Sequence, residues 1–475
     1  MSFFSKQETL LGVLTVGVTL LIFFSDSTSS SFKSYSQVSS FEEPSSLMPQ
    51  TETVTSYYDA LLKTPLIVSQ TAIVGLVFSH IFFQKAIRNH FQLFRTGDNA
   101  YAGILVNTDN NIHPLKRVFI ILLSCGIAIL FSATSLFLLQ VFSLSSELSM
   151  DLSITFTILS ATPVGPVWNI RVITSLIIIA SSILYYIVEK KFSIKKGQAD
   201  LESNDSSYSS IHKRKTGKWL GILSNGLLYI VMLAGAVCIF SNSMVSHNTA
   251  LSFLPSLAIS LDWFHFMAVS MWLGGLFYIS SILLMRIKLL VRKSRNIDGT
   301  LSRSSDFNTV HLTSYFLALL LPYFSLIATI SLGIIGVTGL YMAWIHLHTA
   351  EAIFTSSYGT ILTIKLLLIL PMIILGGYHQ IKLHGGLMTV ASLSKREQGQ
   401  EGEKIDAHST ELSDGRKTGT LPSKYNPSGK FGKTIKIESL IGIGVLIAAS
   451  FLTITSPPSI LLQESFSTES LPGVE

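Results

Sequence analysis

In the stretch LDWFHFMAVSMWLGG, residues 261–275, a carboxylate and an imidazole stand three positions apart at the edge of an apolar run. Met244 and His247 precede that run, His346, His348 and Glu351 follow a later one, and Lys365 lies early in the next. Imidazole and thioether are donor types that suit copper. A carboxylate beside a ligating imidazole fixes its ring and tautomer. The chemistry these residues offer is metal coordination, with His265, His346, His348, His247 and Met244 as ligands. Asp262 is placed to orient His265, and either Asp262 or Glu351 to pair with Lys365. The two cysteines, Cys125 and Cys238, lie inside apolar runs and form no CxxC motif. There is no phosphate loop, dinucleotide fingerprint, HExxH or nucleophile elbow. Nothing requires a covalent or general acid–base catalyst, so the chain is not expected to be an enzyme.

The elements that must hold these residues are membrane helices. The chain has 475 residues, 48% hydrophobic and only 13% charged, with mean hydropathy +0.50. A soluble domain carries about 25% charged residues. The net charge of +6 does not point to nucleic acid, because the basic residues sit in alternate loops. Nine apolar runs are long enough to read as spans: Leu10–Phe24, Leu66–Phe83, Val118–Phe142, Val172–Val188, Trp219–Phe240, Leu257–Met285, Tyr315–Ile345, Ile361–Tyr378 and Leu440–Ile454. The predicted fold is all-α, a polytopic transmembrane bundle of about eight core helices plus an N-terminal signal or anchor span, residues 1–24. The segment 25–64 reads as Ser/Thr-rich and extracytoplasmic, 65–256 as N-terminal transmembrane helices, 257–458 as a second transmembrane unit with a flexible cytoplasmic loop at 394–432, and 459–475 as an extracytoplasmic tail. The seventh run is longer than a bilayer core, so it must tilt, kink or project, with Pro322 a candidate kink.

Loop charge gives the orientation. The loops after the second, fourth, sixth and eighth spans are rich in Lys and Arg, whereas 143–170, 241–256 and 346–360 contain neither. The positive-inside rule makes the first set cytoplasmic. The candidate ligands then gather near the outer surface of a plasma-membrane protein. Helical spacing of about 100° per residue sets Asp262, His265, Val269 and Trp272 on one stripe. Met267 and Met271 fall opposite and suit packing, as does Cys238. Thr329, Gly333, Gly336, Gly339, Ala343 and His346 form a small-residue stripe that a neighbouring helix can approach. If that neighbour is the sixth span, His265 and His346 could share one ion. Asp262 could instead cap its helix, and Trp272 could be a packing residue.

The Asp262–His265–Trp272–Gly274–Gly275 pattern resembles the D-x-x-H…W-x-G-G helix of the copper resistance protein D family (CopD). Thr338-Gly339 resembles that family's T-G. Tyr358-Gly359 with Leu362 and Lys365 is similar to its Y-G-x-x-L-x-x-K helix, and Glu438 through Pro457 to its closing segment. The resemblance implies copper uptake or resistance, and a separate CopC-like extracytoplasmic carrier as partner, since 25–63 is too short for a fused β-sandwich. It reaches Asp262, His265, Trp272, Gly274, Gly275 and Lys365, and does not extend to His346, His348 or Met244.

The leading expectation is copper transport or handling, with copper as substrate or ligand, no tightly bound cofactor and the bilayer as surroundings. Two alternatives stay open. One is an electron carrier with a b-type haem held by histidines on neighbouring spans; the other is a copper-binding partner or sensor that moves no metal.

Overall fold

The computed structural model describes residues 51–94, 112–202, 210–250, 254–285, 305–347, 349–383 and 427–458. The expected span Leu10–Phe24, His348, the tail 459–475 and most of the loop 394–432 lie outside these residues. Within lipid every backbone N–H and C=O must be satisfied inside the chain, so apolar segments of this length become helices. All regular structure among the described residues is helical. The helices are α1 (Thr51–Phe94), α2 (Ile112–Leu148), α3 (Leu152–Ala161), α4 (Val164–Glu202), α5 (Ser210–Ser243), α6 (Pro255–Tyr278), α7 (Ser305–Leu347), α8 (Ala352–Thr355), α9 (Ser357–Tyr378) and α10 (Pro427–Leu452). All but α3 and α8 contain a stretch long and apolar enough to cross a membrane. These eight stretches correspond to the eight core runs of the sequence.

Three details sharpen the sequence expectation. The first described helix begins at Thr51, ahead of the apolar run that starts at Leu66. Asp59 and Lys63 dilute the hydropathy there, yet they sit four apart on a helix, a spacing that brings opposite charges together. The stretch between α2 and α4 is not a plain loop. It holds the short α3, which packs through Phe156 onto Phe137 and Trp168. α7 runs unbroken through Pro322 for 43 residues. At 1.5 Å per residue it is roughly 65 Å long and projects well past a bilayer core of ~30 Å.

Helix α1 is the spine of the bundle. Its apolar window is 83% buried, against 11% for α9 at the periphery. It packs against α2, α5, α6 and α10, while α7 leans on α6, and α9 on α10. The α1–α6 contact depends on two glycines. A Cβ at Gly75 would overlap the Ser270 carbonyl and the Gly274 Cα, and a Cβ at Gly274 would overlap Gly75. Gly275 is nearly as tight, with Phe324 Cε2 at 2.9 Å from its Cβ position. Trp272 is buried in the main apolar core, so its role is packing.

The two ends of the bundle differ in charge. One end, called here the neutral end, carries the loops without Lys or Arg. The other, the basic end, carries the Lys- and Arg-rich loops. At the basic end α6 and α9 each continue into a π-helical turn, Ile279–Leu283 and His379–Leu383.

Candidate functional site at the neutral end

Four local structures bring polar side chains together at the neutral end. After α5 the chain makes a 3-10 turn, His247–Ala250. This turn presents His247 and Asn248 to the last turn of α7, where His346 is buried. The Asn248 amide donates to Ser246 Oγ at 3.0 Å. Its Oδ1 therefore faces His346 Nε2, 3.1 Å away, and accepts from it. The His247 and His346 rings lie 6.5 Å apart between centroids. Two imidazoles on opposite sides of one ion need about 6 Å, from ~2.0 Å per nitrogen–metal bond and about 1 Å to each ring centre.

The start of α9 supplies the next wall. Ser356 caps it, accepting from the Gly359 N–H at 2.9 Å, a standard way to satisfy a first-turn donor. A Cβ at Gly359 would overlap the Ala352 and Ile353 carbonyls, so only glycine permits this close turn. The turn sets the Tyr358 ring 5.8 Å from that of His346. Tyr358 also lies within electrostatic reach of Asp262.

Asp262 stands seven residues inside α6, whose N-cap is Leu254, so it does not cap the helix. It is buried, and its Oδ2 has no hydrogen-bond partner. Ser243 and the half-buried Lys365 are the polar groups that reach it. Glu351, the other carboxylate considered for Lys365, is exposed at the start of α8. Lys365 thus lies within electrostatic reach of Asp262.

His265 lies one turn deeper than Asp262. Its Nδ1 is 2.9 Å from Thr338 Oγ1. That hydroxyl donates to the Ile334 carbonyl at 2.6 Å, so its oxygen accepts from Nδ1–H and Nε2 keeps the lone pair. Gly339 makes room for the ring, with His265 Cε1 3.4 Å from its Cβ position. His265 and His346 therefore do not meet at one point. His346 is eight residues beyond Thr338, about 12 Å along α7. Gly336 is not a packing glycine either, since a Cβ there or at Gly333 meets nothing within 4 Å. Each three-residue step rotates the small-residue stripe by about 60° at 100° per residue, which carries both glycines off the α6 contact. Met244 is half-buried in the turn after α5. Met267 packs with Val74, Ile239 and Trp263.

His247 is the one histidine of the group outside the apolar spans. Burial, reinforced by repulsion from Lys63, lowers its pKa below the usual imidazole value, while the Thr455 backbone opposes the shift. Its Nε2 is buried with no hydrogen-bond partner. A neutral imidazole with an open nitrogen is the form that binds metal. Among the described residues no three His, Cys, Asp or Glu side chains gather into one metal-binding group, so what the site offers is a pair of imidazoles followed by single stations.

Sequence reasoning missed several members. Asn248 carries no signal of its own, and Tyr358 stands out only through its Y-G pattern; the fold alone places both against His346. Arg171 sits at the edge of its span and donates to Ser241 Oγ at 3.1 Å and Asn242 Oδ1 at 2.9 Å. Gln70 bonds Cys238 Sγ at 3.1 Å in the same network, so Cys238 is a structural thiol.

Residues 318–409 match the family model described as Copper resistance protein D. The matched segment includes Thr338, Gly339, His346, Tyr358 and Lys365, and leaves out Asp262, His265 and His247. No curated protein and no solved structure matches the chain. With eight helices able to cross a membrane, the match supports a CopD family membrane protein and relates the chain to copper resistance.

Proposed function

We propose that this protein receives copper at the neutral end and hands it along α6 and α7, without enzymatic chemistry. The observation that carries the reading is the half-buried His247 set against the buried His346, with rings 6.5 Å apart and His247 Nε2 unpartnered. Two imidazoles suit copper, and a site with few ligands releases its ion readily. Asp262 and Lys365 follow, and then His265 with its Nε2 lone pair. Asp262 attracts the cation, and Lys365 balances that carboxylate when no metal is near. A buried carboxylate in a membrane needs such a partner. By the positive-inside rule the neutral end faces outward from the plasma membrane, within reach of a separate CopC-like carrier.

The test is copper flux into proteoliposomes containing the full chain. His346→Ala and His265→Ala are each expected to reduce flux at least tenfold. Wild-type flux in both variants would remove this path.

A further inference from the structure

Helix α3 is too short to cross a membrane, yet it carries no charged residue and leaves most of its apolar side chains exposed. Between residues 143 and 170 the charged residues are Glu147 and Asp151, both ahead of the helix. A helix of ten residues is marginal in water without packing along its apolar surface. Only one of its faces packs on the bundle.

Both ends of α3 are fixed. Ahead of it, Ser149 takes a left-handed conformation, and Ser145 Oγ donates to the Met150 carbonyl at 2.7 Å, which turns the chain back from α2. Behind it, the Thr162 hydroxyl donates to the Leu159 carbonyl at 2.7 Å. The Gly165 N–H donates to the Thr162 carbonyl at 3.1 Å. A Cβ at Gly165 would overlap the Ser160 carbonyl, so glycine lets α4 start against the last turn of α3.

At about 100° per residue the helix has three faces. Thr155 and Leu159 are buried, and Leu159 packs on Phe137 and Val141 of α2. Ser153 and Thr157 are exposed on the opposite side. Ile154 and Ile158 lie between these faces, 52% and 42% exposed. Thr157 donates to the Ser153 carbonyl at 2.9 Å and Ser160 to the Phe156 carbonyl at 2.7 Å. Neither hydroxyl hydrogen is stranded next to lipid.

Ring contacts give the depth. Phe156 meets Phe137 at 5.4 Å and Trp168 at 6.5 Å, and those two rings stack at 4.5 Å. Phe137 is 20 residues beyond the exposed Arg117 of α2, about 30 Å along that helix. Trp168 is 22 residues ahead of the exposed Lys190 of α4, about 33 Å. A hydrocarbon core of ~30 Å measured from those basic residues ends at the two rings, a level that aromatic side chains favour. Leu138 and Phe142 of α2 are exposed near the same level.

We propose that α3 is an interfacial anchor whose partner is the lipid surface at the neutral end. Ile154 and Ile158 insert among the acyl chains of that leaflet, and Ser153 and Thr157 face the headgroups. A helix with an apolar and a polar face lies in this plane. Lipid is the occupant that fits, because the face carries no charge and stands where the spans leave the hydrocarbon core. The anchor does not depend on the copper reading.

The test places the full chain in phosphatidylcholine vesicles. Ile154→Cys, Ile158→Cys and Ser153→Cys are each labelled with bimane, and wild type labelled in parallel gives the background from Cys125 and Cys238. Circular dichroism checks folding. Lipids brominated on their acyl chains should quench the label at positions 154 and 158 about threefold more than at 153, and aqueous iodide should give the reverse order. Equal iodide quenching at all three positions would put the helix in water and overturn the anchor. Shielding of positions 154 and 158 from both quenchers, with disulfide cross-links between copies, would show that a second copy covers the face and would overturn it as well.

Discussion

The two ends of the bundle solve the problem of buried charge differently. At the basic end, His379 and Glu438 touch directly at 3.3 Å, with Thr434 fixing the ring. At the neutral end, Asp262 and Lys365 interact across a gap, with Ser243 and Tyr358 nearby, and Asp262 Oδ2 has no hydrogen bond. A closed pair satisfies its own members, and an open one leaves a carboxylate for a visiting cation. The difference teaches that carboxylates in one membrane protein acquire distinct roles from the distance to their counter-charge.

The sharpest way to break this comparison is to remove one partner at each end. His379→Leu strands Glu438 and should destabilise the protein by about 4 kcal/mol, the scale for breaking a buried pair. Adding Glu438→Leu should restore most of that loss in a thermal melt. No recovery in the double variant would mean the two groups are not a pair. Gly274→Val drives a side chain into Gly75 and should cost about 3 kcal/mol. It acts on the shared α1–α6 spine, so copper binding should weaken along with stability. Unchanged copper binding in the destabilised variant would show that the spine does not position the neutral end. Lys365→Met should cost less than His379→Leu, about 2 kcal/mol, because its contact with Asp262 is looser. An equal or larger cost would erase the contrast between open and closed pairs.

The smallest effect concerns pH. Burial and Lys63 depress the His247 pKa, so its imidazole is less protonated at pH 6.5 than a solvated one, which is half protonated there. Copper binding should therefore fall off only below that pH. Lys63→Gln removes the repulsion, which raises the His247 pKa and moves the midpoint of the pH profile upward. It also strengthens copper binding at pH 7 by about threefold, because the same charge repels the metal. An unmoved midpoint would mean that Lys63 does not act on His247. Because the folded pKa is lowered, any stability contribution from His247 is present above the unfolded value and lost as pH falls through the folded one.

Much of the architecture was legible in the sequence, since lipid leaves few choices of structure and loop charge alternates cleanly. The eight core spans follow from hydropathy alone, apart from ends such as Thr51–Thr64, where Asp59 and Lys63 hide helix continuity. The site was legible only in part. Residue types at the neutral end pointed to His265, His346, His247 and Asp262, but depth along a helix does not decide which of them meet. His346 pairs with His247 and Asn248, and His265 with Thr338, because packing fixes the faces of α6 and α7. The His379–Glu438 pair is 59 residues apart in sequence and follows no local motif. Apart from the place of Glu438 at the start of the closing segment, its sequence signal is that each is an ionisable residue within or at the edge of an apolar run, which is a functional hint by itself.

The most direct measurement is equilibrium copper binding by the purified full chain, with X-ray absorption to count nitrogen ligands. Wild type is expected to bind copper through two imidazoles. The His247→Ala, His346→Ala double variant should bind at least tenfold more weakly, while His265→Ala keeps the two-imidazole signature. Wild-type affinity and ligand count in the double variant would contradict the account.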